Sequence, residues 1–258
     1  MRSIVSLALV LLWLAAPAAL SAQTGGSNPN SKSALELGQT PTDVSVEVEN
    51  VVQSGMTRII DGIKEAGDLV KKNQWEDGDA KLQEVRDFIR QAMDKMKAVE
   101  GDEERELSFG KILNYLDDAD YAIDQRRKSP ALQNLTQAYK MTVALSKSPV
   151  LKLVASKVSL YLANQQIQGK NYASAGAFLD RAIDSLTAVQ QDPGLNQKEI
   201  NALKNSIVIA HQQVINGQRY DGSYMSKLYQ RATAATSNAL YQYYDMWTRT
   251  PVPWEAWE

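Results

Sequence analysis

The 258-residue sequence has no cysteine, one histidine and three phenylalanines. Each shortage closes off a class of chemistry. Without cysteine there is no disulfide, thiol nucleophile, iron–sulfur cluster, thiolate metal site or lipid-modified N-terminal cysteine. His211 is the sole imidazole. A zinc or copper centre ordinarily draws on more than one, and a hydrolytic triad needs such a base. A lone histidine on a helix reads as a surface residue or a satisfied core residue. Glu-x-x-His motifs of the carboxylate-bridged di-metal kind are absent, and so are glycine-rich phosphate loops. Charge of one sign is lacking too. The 28 Lys and Arg stand against 30 Asp and Glu, and the Arg126-Arg127-Lys128 run is too short to form a nucleic-acid footprint. Beyond the N-terminal stretch no apolar run approaches membrane-spanning length.

That N-terminal stretch is the first positive feature. Residues 1–22 carry Arg2, an apolar core from Ile4 to Ala16 and the small-residue segment AAPAALSA. This is the layout of a secretory signal peptide, with cleavage expected after Ala22 and Ala18 as the alternative. The mature chain is then expected to be soluble and periplasmic or secreted, with no membrane insertion. A medium-sized exported chain without cysteine suits a bacterial periplasm. Residues 23–43 are rich in Gly, Ser, Asn, Gln and Pro and read as a flexible leader.

From there to residue 250 the pattern is helical. Val48, Val52, Met56, Ile59, Ile63, Ala66 and Val70 step by threes and fours, as one face of a long helix does. Seven further helices are expected. Leu82 to Met96 mark the second, ended by Gly101 and the charged run Asp102 to Glu106. Phe109 to Ile123 mark the third. Ser129-Pro130 and Ser148-Pro149 read as an N-cap serine and a first-turn proline for the fourth and fifth. The sixth runs over about Ala173 to Gln190 and stops at Asp192-Pro193-Gly194. Asn196 with Glu199 starts the seventh, and Asn216-Gly217 suits its left-handed cap. The eighth carries Leu228, Ala232, Ala235, Ala239, Tyr243 and Trp247. Pro251 and Pro253 then leave a tail, residues 251–258, with Trp254 and Trp257. The tail is expected either to dock back on the fold or to serve as a recognition element.

A spacing recurs within this series. Ala163, Tyr172, Ala175, Leu179 and Ala182 align with Ala66, Trp75, Gly78, Leu82 and Val85, and with Ala119, Lys128, Ala131, Leu135 and Ala138. Small residues let paired helices approach, and the large ones fill the groove between them. The expected architecture is therefore all-α: four stacked antiparallel helix hairpins, about eight helices in all. Tyr172-x2-Ala175-x3-Leu179-x2-Ala182 resembles the second-helix half of a tetratricopeptide repeat, with Gly169 near the turn. The first-helix signature is missing, and the units recur at 53 and then 44 residues, so the array would be irregular. In layout the chain is also similar to the exported bacterial YfdX-type proteins. These resemblances bring no catalytic residues. They imply a non-enzymatic binding or stress-related role.

The remaining candidates are carboxylates and aromatics. Asp117, Asp120 and Asp124 share a helix face and are expected to pair with Arg126 or Arg127 in solvent. Neither they nor Glu76, Asp77 and Asp79 have the alternating ligands of a calcium loop. No catalytic, cofactor-binding or metal residue is assigned. Tyr and Trp crowd the last forty positions. Tyr243 and Trp247 read as core, whereas Tyr220, Tyr224, Trp254 and Trp257 are the candidate partner-binding residues. The function expected is a non-enzymatic protein- or peptide-binding scaffold, with no nucleic acid among its partners. The alternative is a small-molecule carrier with an apolar cavity between helices. An open face lined by Tyr and Asn would favour the first.

Overall fold

Apolar residues three and four apart fall on one face of a helix, and most of the helices here carry such a stripe. The computed structural model describes residues 41–97, 99, 102–217 and 222–249. They form α1 (Pro41–Lys71), α2 (Trp75–Lys97), α3 (Glu103–Asp124), α4 (Lys128–Lys147), α5 (Val150–Gln168), α6 (Tyr172–Ala188), α7 (Gln197–Ile215) and α8 (Gly222–Arg249). No strand occurs among the described residues. None of these helices is long and apolar enough to cross a membrane. The expected signal peptide and the 251–258 tail lie outside the described residues.

Consecutive helices pair as four antiparallel hairpins, and the hairpin turn is the most regular part of the molecule. Asn73, Arg126 and Lys170 all sit in the left-handed region, at φ 60°, 51° and 60°. Around each, the next residue's N–H bonds five residues back: Gln74 to Leu69 O at 2.9 Å, Arg127 to Ala122 O and Asn171 to Gln166 O at 2.8 Å. The inner bond of the same motif joins Asn73 to Val70 O, Arg126 to Ile123 O and Lys170 to Ile167 O. These are Schellman caps, which glycine usually occupies because it lacks a Cβ. Only the fourth turn places glycine there, Gly217 at φ 66°. Gly169 lies one residue before the left-handed position, at φ −76°.

The repeated spacing marks equivalent burial. Leu82, Leu135 and Leu179 are each 0% exposed, as are Ala66, Ala119 and Ala163 on the opposing helices. Lys128 departs from the aromatics at its slot for a local reason. Its ammonium donates to the Lys71 carbonyl and to Asn73 Oδ1, a cation seated at the negative end of α1. α1 and α2 approach closely at Gly62, where a Cβ would stand 2.4 Å from Val85 Cγ2.

The hairpins stack in twos. α1 packs on α2, α2 on α3, α3 on α4 and α4 back on α1; α5 to α8 close a second quartet in the same way. α5 also touches α1, α3 and α4, and it is buried on every side from Leu153 through Leu160. Buried with it are Ser156, Lys157 and Ser159. The long α8 reaches from the second quartet onto the first. Tyr243 Oη donates to Met141 O of α4 at 3.3 Å, and Trp247 meets Tyr115 of α3 edge-on at 6.3 Å.

Some local expectations shift. The second helix ends at Lys97, before the Asp102 to Glu106 run; Asp102 precedes α3 and Glu103 to Glu106 form its first turn, where acidic side chains suit the positive helix end. Ser129 and Pro130 fall inside α4 rather than opening it, since Arg127 is the flanking residue and makes no side-chain cap. Ser148 does accept a backbone N–H, from Val150 at 3.4 Å, with Pro149 as the flanking residue of α5. Asn196 caps α7 as its sequence suggests, accepting from Glu199 N at 3.4 Å. α1 begins at Pro41, so the last residues of the expected leader, 41–43, are helical.

Candidate functional site

The breaker Asp192-Pro193-Gly194 ends the third hairpin and builds one wall of a cleft. Asp192 Oδ1 accepts from Gly194 N at 2.8 Å, and the Gln197 amide donates to the Asp192 carbonyl. This folds the linker tightly and turns Leu195 inward, where only 8% of it stays exposed. The first turn of α7 continues the wall with Asn196, Glu199 and Ile200. The facing wall is α8, through Ala235, Asn238, Tyr241 and Gln242, and the space between them is about 420 Å³. Gln242 ties the walls together by donating to the Gly194 carbonyl. A Cβ at Gly194 would lie 2.6 Å from Gln242 Oε1, so a larger residue there would displace the end of the Gln242 side chain from the linker.

The lining sorts by depth. Leu195, Ile200 and Ala235 give an apolar floor, while Asn196, Asn238 and Gln242 bring side-chain amides to the mouth. Tyr241 is 79% exposed. Amides both donate and accept, and a tyrosine ring offers a flat apolar face with a polar end, so the cleft suits a polypeptide segment. A second cleft, about 230 Å³, lies between α1 and α2. Its lysine is engaged by two of its acids. Lys81 Nζ stands 2.9 Å from Glu65 and 3.2 Å from Glu84, and hydrogen bonds to these two hold its pKa above the ordinary lysine value.

The aspartates of α3 are engaged by α2. Arg86 Nε reaches Asp117 at 2.8 Å, its NH1 reaches Asp120 at 2.5 Å, and Arg90 NH2 reaches Asp117 at 3.1 Å. The partners are therefore not the expected Arg126 and Arg127, which sit beyond the helix end; Arg126 lies 3.6 Å from Glu76 instead. Burial raises the pKa of Asp120, and a hydrogen bond with Asp79 raises it further, while Arg86 opposes both. Among the described residues no cluster of three or more His, Asp and Glu side chains could hold a metal. His211 Nε2 lies 3.3 Å from Asp180 Oδ1 and joins α7 to α6.

Of the four candidate partner-binding residues, the structure describes Tyr224. It is half-buried, and its Oη donates to Ser206 O of α7 at 3.3 Å, which closes the fourth hairpin. Its ring falls on the side of α8 that meets α7. Tyr220, Trp254 and Trp257 lie outside the described residues. Tyr243 is fully buried and Trp247 partly so, in an aromatic row with Tyr115 and Tyr244. Sequence reasoning passed over Tyr241 and Asn238. The available signal was register: Tyr241 stands between Ala239 and Tyr243, off the buried stripe of α8.

No family model, curated protein or solved structure matches this chain. Its own geometry carries the functional reading.

Proposed function

We propose that the chain is an exported, non-enzymatic helical-hairpin protein that binds a protein or peptide partner in the bacterial periplasm. The observation that supports this is the cleft beside α8: open, floored by Leu195, Ile200 and Ala235, and rimmed by Asn196, Asn238 and the exposed Tyr241. A polypeptide laid there would meet amides along its backbone and an aromatic face for one side chain, the pairing common at recognition surfaces. The layout shared with tetratricopeptide-like and YfdX-type proteins points the same way.

The test is retention of a partner from periplasmic extract by the whole chain and by the double variant Asn238→Ala, Tyr241→Ala. Both positions are exposed, so the variant should keep the wild-type Tm. Capture of a protein by the wild type, lost in the variant, is the expected result. Equal capture by both would remove the cleft from the reading. Recovery of a small molecule without any protein would move it to a carrier.

A further inference from the structure

We propose that the cleft beside α8 receives a basic side chain, arginine above all, from an exposed segment of the protein partner, and that Glu199 is the residue that selects it. This deepens the reading of the cleft as the binding surface and rests on it. Charge is the first argument. Glu199 is the only charged side chain in the lining. It is exposed, and among the described residues none donates to its carboxylate. The basic residues of the same elements are turned elsewhere. Arg231, one turn before Ala235 on α8, donates to Ser206 Oγ at 3.0 Å, and Lys204 of α7 donates to Gln190 Oε1 at 2.9 Å. Lys198 precedes Glu199, but one step along a helix turns about 100° around it, and Lys198 is not part of the wall.

The positive end of α7 does not cancel this acid. A helix end carries only about half a unit charge. Two of the first-turn N–H groups are already taken, Glu199 N by the Asn196 side chain and Ile200 N by the Asn196 carbonyl. A cleft left with one unmatched carboxylate favours a cation, because an acidic ligand is repelled and an apolar one strips water from the charge without replacing it.

Shape is the second argument. The floor of Leu195, Ile200 and Ala235 is apolar, while Glu199 and Tyr241 stand in solvent at the mouth. Arginine and lysine divide in the same way, with an aliphatic stem that covers apolar surface and a head that stays wet. The guanidinium has two further advantages over an ammonium. Its forked donors match a carboxylate, and its plane lies flat on an aromatic ring such as that of Tyr241. Gln242 is spent on the Gly194 carbonyl. The Asn238 amide, engaged by none of the described residues, is left to pair with the partner's backbone.

The test uses the full chain and a phage-displayed library of random heptapeptides. The wild type should enrich peptides with one Arg or Lys beside an apolar residue. The best of these, made synthetically, should bind the Glu199→Gln variant roughly fivefold more weakly, and should bind the wild type less well as salt is added. Glu199→Lys should reverse the preference and enrich Asp or Glu. Glu199 is exposed and contributes only its main-chain N–H to the Asn196 cap, so both substitutions leave that cap in place. An empty selection, peptides without a basic residue, or equal binding to wild type and Glu199→Gln would overturn the proposal. If peptides indifferent to Glu199→Gln still lose affinity with Tyr241→Ala, the cleft stands as the surface and only its preference for a cation falls. If Tyr241→Ala changes nothing either, the cleft falls with it.

Discussion

Asp120 shows how one side chain can be held by opposing forces. Burial and the Asp79 carboxyl beside it favour the protonated form, while the Arg86 guanidinium 2.5 Å away favours the charged one. The outcome is a pKa above the ordinary 3.8. A carboxyl raised in this way holds its proton in the folded chain at pH values where the unfolded chain has lost it. Its contribution to stability is therefore present at low pH and falls as pH rises from 3.8 through the folded value. Asp79→Asn removes one of the two causes and leaves the larger, burial. The Asp120 midpoint should move part of the way down in a carboxyl ¹³C NMR titration. A midpoint unchanged by that substitution would show that the two carboxyls do not interact. None of this was legible in the sequence. The spacing of Asp117, Asp120 and Asp124 identified a shared helix face, but which arginine lies across from it is a tertiary fact, and the nearest basic residues in sequence were the wrong ones. Tyr224 and Tyr241 teach the same point. Residue type says that an aromatic will find a surface to cover, and only its register against Leu228, Ala232, Ala239 and Tyr243 says whether that surface is its own core.

At the level of the element, periodicity did most of its work on the helices with one wet side. Every member of the stripe proposed for α1 is buried, and so is every member proposed for α7, because a half-exposed helix must place its apolar residues on one face. α5 is the counter-example. Leu151, Val154, Val158 and Leu162 suggest a stripe, yet Leu153, Ala155 and Leu160 are buried as well, and Leu151 only partly. A helix surrounded by neighbours has no wet face to set against a dry one, so no single stripe marks it. The hairpin was readable from its repeated spacing, and its turn was not, since Asn73, Arg126 and Lys170 share a backbone state without sharing a chemistry. The middle hairpin, whose Lys128 breaks the pattern, gives the sharper test. Leu135→Ala should cost about 2–5 kcal/mol by denaturant unfolding, as should Leu82→Ala and Leu179→Ala. A cost below about 1 kcal/mol at Leu135 alone would mean that its site refills, and that the three slots differ in packing despite equal burial.

On the scale of the whole molecule the question is what joins the two quartets. Lys157, 2% exposed on α5, answers it in part by pairing with Glu104 and, at 3.4 Å, with Glu103 on α3. The neighbouring Arg105 and Asp102 form a second buried pair. Lys157→Met leaves Glu104, 16% exposed, without this cation and should destabilise the chain by up to about 3–5 kcal/mol. Adding Glu104→Gln should recover much of that loss in the same unfolding measurement. If the double variant is no better than the single one, the stem of Lys157 matters more than its charge. The closure of each quartet has a further consequence for how such a chain can lengthen. An open row of hairpins gains a member at either end and keeps all its existing contacts. Here α4 already lies against α1, and α8 against α5. One added hairpin inside either ring would have to prise those partners apart, exposing two apolar faces to water before it covered any. Growth or loss is tolerable only by whole rings, so homologues of altered length should differ by two hairpins at a time.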